Sequence, residues 1–94
     1  MKIVQMPSFK KARKKLHKNQ IADLKKAIEE IIENTKIGQQ KLGDLRGIRV
    51  HKFKMVGQLT LIAYDYQDDT ITLTLLAFGS HENFYRDLKR NLNS

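Results

Sequence analysis

The chain has 94 residues, a hydrophobic fraction of 40% and a formal net charge of +8. This length and composition predict one domain with a single modest core, over residues 1–94. Disulfide frameworks and thiolate metal sites are excluded because the sequence has no cysteine. No apolar run approaches the ~18 residues of a membrane span, and the Lys-rich start lacks the apolar region of a secretory signal, so we expect a cytoplasmic protein without a membrane partner.

The first half of the chain predicts one strand followed by two helices. Residues 2–6 form a short apolar stretch before Pro7 and are typical of a strand. Ser8 is the predicted N-cap of the first helix, and Asn19 is a candidate cap of the second. Apolar residues then recur at three- and four-residue steps to about residue 34. We expect the two helices to form an antiparallel hairpin.

The second half changes to a period of two, which predicts three strands. Residues 48–54, 58–66 and 70–78 alternate apolar and polar side chains and are joined by short connections. Such strands form an antiparallel meander. A last helix is predicted to begin at His81, with Ser80 as its N-cap. The order of elements therefore predicts a two-layer α+β domain, with helices on one face of the sheet and a partly polar second face.

Basic residues form three clusters, and a net charge of +8 favours an anionic partner such as nucleic acid, an acidic protein or an anionic membrane surface. The clusters are Lys10, Lys11, Arg13, Lys14, Lys15 and Lys18; Arg46, Arg49, Lys52 and Lys54; and Arg86, Lys89 and Arg90. A single cluster is usually a solvated face, whereas three clusters gathered by the fold would make a patch. The residues expected to bind RNA are Lys10, Lys11, Lys14, Arg46, His51, Arg86 and Lys89, although His51 also fits an ordinary surface residue.

His81 and Tyr85 are the side chains with the most distinctive chemistry. They are four residues apart and would share one face of the predicted helix. A histidine ionises close to neutral pH and suits general acid–base catalysis of RNA cleavage. A tyrosine can stack on an unpaired base or donate a proton. The structural alternative is that His81 caps or packs on the helix and Tyr85 belongs to the core. His17, His51 and His81 lack the spacing of a metal site, so no metal is predicted.

The sequence resembles the RelE/ParE superfamily of bacterial type II toxin–antitoxin systems. The similarity lies in the order of elements, the basic charge, the segment Leu45-Arg-Gly-Ile-Arg-Val50 before a strand, and the segment Gly79-Ser80-His81-x-x-Phe84-Tyr85. It covers nearly the whole chain and implies a RelE-like fold. On the RelE side it implies a toxin that is a metal-independent, ribosome-dependent mRNA endoribonuclease (mRNA interferase) and inhibits translation, with no cofactor. The implied partners are an acidic antitoxin protein, mRNA and the ribosome.

The resemblance also implies catalytic residues. His81 matches the C-terminal histidine of the YafQ-like branch, and Tyr85 matches an aromatic residue near it. Lys52 and Lys54 lie in the strand that carries catalytic residues in relatives, and Arg49 lies in the same strand. We expect these three cations to hold the scissile phosphate, because residues 58–62 lack the arginine that many RelE relatives have there.

Two alternative functions remain open at this point. The ParE side of the superfamily shares the fold but inhibits DNA gyrase, which would be the partner in place of mRNA. His81 argues against that function, because gyrase inhibition needs no general acid or base. The other alternative is a non-catalytic RNA-binding domain on the same scaffold.

Overall fold

The structure, a computed structural model, describes residues 1–81 and 84–92, without the side chains of Asp44, Asp87, Asn91 and Leu92. Within these residues a five-stranded sheet has the order β1-β5-β4-β3-β2. The elements are β1 (Lys2–Gln5), α1 (Pro7–Arg13), α2 (Lys18–Glu33), β2 (Gln39–Gln40), a 3-10 turn (Gly43–Leu45), β3 (Arg49–Met55), β4 (Gln58–Gln67), β5 (Thr72–Ser80) and α3 (Phe84–Leu92). Strand β1 is parallel to β5, and the other neighbours are antiparallel. The predicted α+β class is confirmed, and β2 is an addition to it.

Helices α1 and α2 cover one face of the sheet, here called the α1–α2 face. The buried residues of this core are Phe9, Leu24, Ile31, Met55, Ile62, Tyr64, Leu73 and Leu75. Phe9 of α1 packs edge-on against Phe78 of β5, with ring centroids 5.1 Å apart. Because the apolar stripe of each helix meets this face, burial of these side chains is the main favourable term that attaches both helices to the sheet.

Helix α3 packs on the opposite face, here called the α3 face. Successive strand residues point to opposite sides of a sheet, so Leu61 and Ala63 face away from Ile62 and Tyr64. The buried residues on this side are Leu45, Ile48, Val50, Leu61, Ala63, Phe84 and Leu88. The ring of Phe84 passes over Gly79, where an added Cβ would lie 3.9 Å from Cδ1 of Phe84. Helix α3 therefore covers part of the face that the sequence predicts as partly polar.

A β-bulge interrupts the pairing of β4 with β5. Ala63 pairs with Ala77 and Tyr64 pairs with Leu75, so Leu76 is an extra residue of β5. Leu75 belongs to the core of the α1–α2 face, whereas Leu76 and Ala77 both pack on the α3 side. One inserted residue thus reverses the alternation along the rest of β5.

The predicted caps of the first two helices are wrong. Pro7 occupies the first turn of α1 and Met6 is the N-cap, since proline suits the first helical position, where no N–H is needed. The hydroxyl of Ser8 instead donates to the carbonyl oxygen of Leu76 at 3.3 Å. Helix α2 has His17 as its N-cap, and the side-chain oxygen of Gln20 accepts a hydrogen bond from the His17 N–H at 2.8 Å.

The predicted cap of the last helix is also wrong. Ser80 is the last residue of β5 and pairs with Thr60 of β4. His81 lies in a turn, residues 82–83 of the predicted helix lie outside the described residues, and α3 starts at Phe84. Strand β5 continues beyond Phe78 because the backbone groups of Gly79 and Ser80 pair with β4. A helix starting at Ser80 would leave those backbone groups without partners in the sheet. His81 and Tyr85 consequently do not share a helix face.

Candidate functional site

Several basic residues lie at one end of the sheet, here called the basic end. The turn of Val56 and Gly57 joins β3 to β4 there, and β5 ends beside it because Ser80 pairs with Thr60. Helix α2 also begins at this end, since Oδ2 of Asp23 accepts a hydrogen bond from the Val56 N–H at 2.8 Å. Chain order and sheet topology therefore bring together Lys14, Lys15, Lys18, Lys52 and Lys54.

Lys52 and Lys54 share the α3 face of the basic end, where β5 ends just before His81. Lys52 is paired with Leu61, and Leu61 with Gly79, so these residues form one row across three strands. The strand spacing places the Cα atoms of Lys52 and Gly79 about 10 Å apart. Lys54 is one row nearer the end, opposite Leu59. His81 is exposed in the turn that directly follows β5, two residues after Gly79.

Arg49 and His51 are on the other face of β3. Nη1 of Arg49 donates hydrogen bonds to the carbonyl oxygens of Gly38 at 2.8 Å and Lys36 at 3.4 Å. Nε2 of His51 is 3.6 Å from Oε1 of Glu30 on α2, and its ring stacks on Phe53 at 6.4 Å. The structure therefore does not bring Arg49 together with Lys52 and Lys54, because its guanidinium group binds the segment that connects α2 to β2.

Tyr85 lies toward the β2 edge of the sheet. Its half-buried ring packs edge-on against Phe84, with centroids 5.3 Å apart, and Nζ of Lys41 is 5.1 Å from the ring centroid. The N–H of Lys41 donates to the carbonyl oxygen of Ile48, which is four residues, about 13 Å, along β3 from Lys52. The cation–π contact thus directs Tyr85 away from the basic end.

The other residues expected to bind RNA are divided between helices and loops. Lys10 and Lys11 are exposed on α1 and Lys14 directly after it, Arg46 is exposed after the 3-10 turn, and Arg86 and Lys89 are exposed on α3. The opposite end of the sheet holds acidic residues from the C-terminal half of α2 and from the β4–β5 hairpin: Glu29, Glu30, Glu33, Asp65, Asp68 and Asp69. Separation of the two signs of charge strengthens the positive potential at the basic end and directs anions there.

Comparison with known proteins assigns the family. A family model described as the ParE-like toxin of a type II bacterial toxin-antitoxin system matches residues 3–89. The chain belongs to this family. It is therefore a toxin of the RelE/ParE type from a type II toxin–antitoxin system.

Solved structures share the fold of the toxin at low sequence identity. A chain of the intact E. coli RelBE toxin–antitoxin complex has a TM-score of 0.69 and 21% identity, covering 86% of this chain and 96% of that chain. A mutant of the E. coli toxin RelE in the free state has a TM-score of 0.72 and 19% identity, covering 96% and 90%. A conserved hypothetical protein from Helicobacter pylori has a TM-score of 0.52 and 15% identity, covering 89% and 98%. A search of curated protein sequences found no match.

The described residues of the toxin include neither a membrane-spanning helix nor a metal-binding cluster. No helix among them is long and apolar enough to cross a membrane. In the same residues, no group of three or more potential ligand side chains is arranged to hold a metal ion.

Sequence reasoning missed the residues that hold Arg49 in place. Tyr64 is fully buried, donates its hydroxyl hydrogen to the carbonyl oxygen of Thr35 at 2.7 Å, and accepts the Gly38 N–H at 2.9 Å. Burial raises the pKa of Tyr64, while the Gly38 N–H and the charge of Arg49 lower it by smaller amounts. Gly38 has no room for a side chain, since an added Cβ would lie 2.8 Å from the Tyr64 hydroxyl. The only sequence signal is a glycine shortly after a helix, which is common at helix ends.

Proposed function

We propose that the toxin is an mRNA endoribonuclease that cuts translated mRNA on the ribosome in the bacterial cytoplasm. The observation that carries the proposal is the position of Lys52 and Lys54 on one face of the basic end, where β5 ends and exposed His81 follows it. A polyanion attracted to this end meets two cations and an exposed histidine at the same edge of the sheet. The fold that the toxin shares with E. coli RelE supports a RelE-type activity.

The proposed reaction is attack of a ribose 2′-hydroxyl on the adjacent phosphodiester. The new O–P bond forms as the bond to the 5′-oxygen breaks, leaving a 2′,3′-cyclic phosphate and a 5′-hydroxyl. Negative charge grows on the phosphate oxygens, and Lys52 and Lys54 stabilise it as fixed cations. His81 either accepts the 2′-hydroxyl proton or donates a proton to the departing oxygen. This side-chain chemistry uses no cofactor.

Arg49 and Tyr85 receive different roles from those expected from the sequence. Arg49 is a positioning residue, because its guanidinium group is used by the carbonyl oxygens of Lys36 and Gly38 on the other face. Tyr85 is assigned to stacking on a base, since its ring lies toward the β2 edge beside Lys41. A bound RNA strand would thus cross the α3 face, with its scissile phosphate at the basic end.

The exposed cations outside this face are proposed to bind the phosphate backbone of ribosomal RNA. They are Lys10, Lys11, Lys14, Arg46, Arg86 and Lys89. Such contacts position a protein on RNA without reading its sequence, and they weaken as salt concentration rises. An acidic antitoxin is the proposed protein partner of this surface, because opposite charge speeds association. The fold shared with a chain of the RelBE toxin–antitoxin complex supports a protein partner of this kind.

The test is mRNA cleavage in a reconstituted translation system, read by primer extension on stalled ribosomes. We expect His81→Ala to lower the cleavage rate by about 10²–10⁴-fold, the usual contribution of a general acid or base. Lys52→Ala and Lys54→Ala should each lower it by roughly 10²-fold or more, the scale of removing one donor to a developing oxyanion. Lys36→Ala is the matched control, because it removes an exposed lysine at the opposite end.

Cleavage by His81→Ala and Lys54→Ala at the wild-type rate would reject the proposed catalytic site. Salt-sensitive RNA binding without any cleavage by the wild-type toxin would instead identify a non-catalytic RNA-binding domain.

Inhibition of DNA gyrase is the second candidate function, because the matching family model is described as ParE-like. It predicts loss of negative supercoiling activity at toxin concentrations that leave ribosome-bound mRNA intact. In that case His81→Ala should inhibit gyrase as well as the wild type does, since no proton transfer is involved. The supercoiling assay on the same variants therefore separates the two functions.

A further inference from the structure

Exposed apolar side chains collect along the outer edge of β1. Met1, Ile3, Met6 and Ile71 are 51%, 44%, 40% and 53% exposed. Met1, Ile3 and Ile71 are neighbours, because the Lys2 N–H donates to the Ile71 carbonyl oxygen and Ile3 is paired with Leu73, whereas Met6 lies at the other end of β1. Single exposed hydrophobic residues are ordinary, whereas a contiguous group of this kind marks a site of interaction.

The same edge presents backbone groups that are free to pair. The Lys2 N–H donates to the carbonyl oxygen of Ile71, just before β5, and the Met6 N–H donates to that of Leu75 in β5, both at 3.0 Å. Because a strand directs the backbone of alternate residues to opposite sides, Ile3 and Gln5 present their N–H and C=O groups outward. Oε1 of Gln5 is buried without a hydrogen-bond partner in the described part of the chain. No bulge breaks the four-residue pairing of β1 with β5. Bulges commonly protect an edge strand from pairing with another chain, and this edge has none.

We propose that the toxin forms a homodimer in which β1 pairs antiparallel with β1 of a second copy. A twofold axis at Val4 places Ile3 opposite Gln5 of the second copy, and Gln5 opposite its Ile3. Both pairs then use the outward N–H and C=O groups, which makes the edge complementary to itself. The two sheets become one continuous sheet, and the apolar group on each copy is covered by the other.

Charge favours a second copy over an acidic partner at this edge. Lys2, at the start of β1, is its one charged side chain and residues 3–7 contain none, although the chain carries +8, so an acidic segment gains little attraction there. An antiparallel pairing of β1 also places the basic end of each copy beside the acidic end of the other, because β1 runs from the hairpin of Asp68 and Asp69 toward the basic end. Opposite ends attract, so the arrangement opposes the repulsion expected from two basic chains.

The test is sedimentation velocity of the full chain between about 5 and 500 µM. We expect wild type to sediment with the mass of two chains at the upper concentrations and to dissociate on dilution. Ile3→Lys should raise the dimer Kd by roughly 100-fold or more, because two apolar side chains lose their burial and two added charges lie diagonally across the new pairing. Ile37→Lys is the matched control, since Ile37 is 39% exposed away from β1, and should leave the Kd unchanged.

Amide hydrogen exchange on the wild type gives a second measurement that needs no variant. The amides of Ile3 and Gln5 should exchange more slowly at 500 µM than at 5 µM, whereas the Val4 amide, which faces β5, should be equally protected at both. A chain that stays monomeric throughout would overturn the proposal. So would a dimer that Ile3→Lys leaves intact, or Ile3 and Gln5 amides protected only when an acidic antitoxin peptide is added.

Discussion

The hydroxyl group of Tyr64 is expected to be a major contributor to stability. It satisfies two backbone groups of the segment between α2 and β2, the carbonyl oxygen of Thr35 and the N–H of Gly38. Tyr64→Phe keeps the ring in the core but leaves both groups without this partner. A buried polar group left unpaired costs about 1–3 kcal/mol. Gly38 is buried and Thr35 is half-buried, so we expect a loss of about 2–4 kcal/mol from the free energy of unfolding.

Urea unfolding followed by circular dichroism measures this loss from the midpoint at constant slope. Tyr66→Phe is the matched control, because Tyr66 lies two residues along β4 and its hydroxyl makes no hydrogen bond within the described residues. We expect the control to lie within about 0.5 kcal/mol of wild type. Equal stability of Tyr64→Phe and Tyr66→Phe would refute the view that the connecting segment is held by this hydroxyl.

Two further predictions concern stability. Burial raises the pKa of Tyr64 above its ordinary value of about 10. The contribution of Tyr64 to the free energy of unfolding should therefore be complete below about pH 10 and be lost as pH rises through the higher folded-state pKa. Urea midpoints between pH 8 and 11 should fall more steeply for wild type than for Tyr64→Phe, and parallel curves would contradict this. Val56→Asn should raise the free energy of unfolding by about 0.5–1.5 kcal/mol, because Val56 has φ 49° and Gly57 has φ 79°, a two-residue turn that favours Asn-Gly over a β-branched residue. Thermal melting tests the second change against Gln58→Asn, and an unchanged or lower midpoint for Val56→Asn would count against it.

The strands were predictable where a period of two continued for several residues. Strand β3 was predicted over residues 48–54 and observed over Arg49–Met55, since alternation is a local property of the sequence. Strand β2 was missed because Gln39–Gln40 is too short and too polar to form a pattern. It exists through pairing with Val50 and Arg49, which are distant in sequence.

The site was predictable in its residue types and only partly in its geometry. Alternation along β3 correctly predicts that Arg49 and Lys52 point to opposite faces of the sheet. The prediction that both hold the scissile phosphate rested on their positive charge alone. The actual partner of Arg49 is the carbonyl oxygen of Gly38, a contact across eleven positions of sequence. No local pattern reports such a contact, because it depends on how α2 ends and on the buried Tyr64 beside it. The position of His81 after a strand, rather than in a helix, likewise depended on pairing with β4.

The bulge at Leu76 makes the length of β5, and not only its composition, decisive for the toxin. Leu73 and Leu75 face α1 and α2, and uninterrupted alternation from them would turn Phe78 toward α3 and away from Phe9. Straightening the pairing without losing a residue would therefore exchange the orientations of residues 77–80, whereas deleting Leu76 would remove only the extra residue and leave those orientations unchanged. Relatives of this toxin should therefore tolerate loss of the bulge residue better than a one-residue gain or loss elsewhere in this strand.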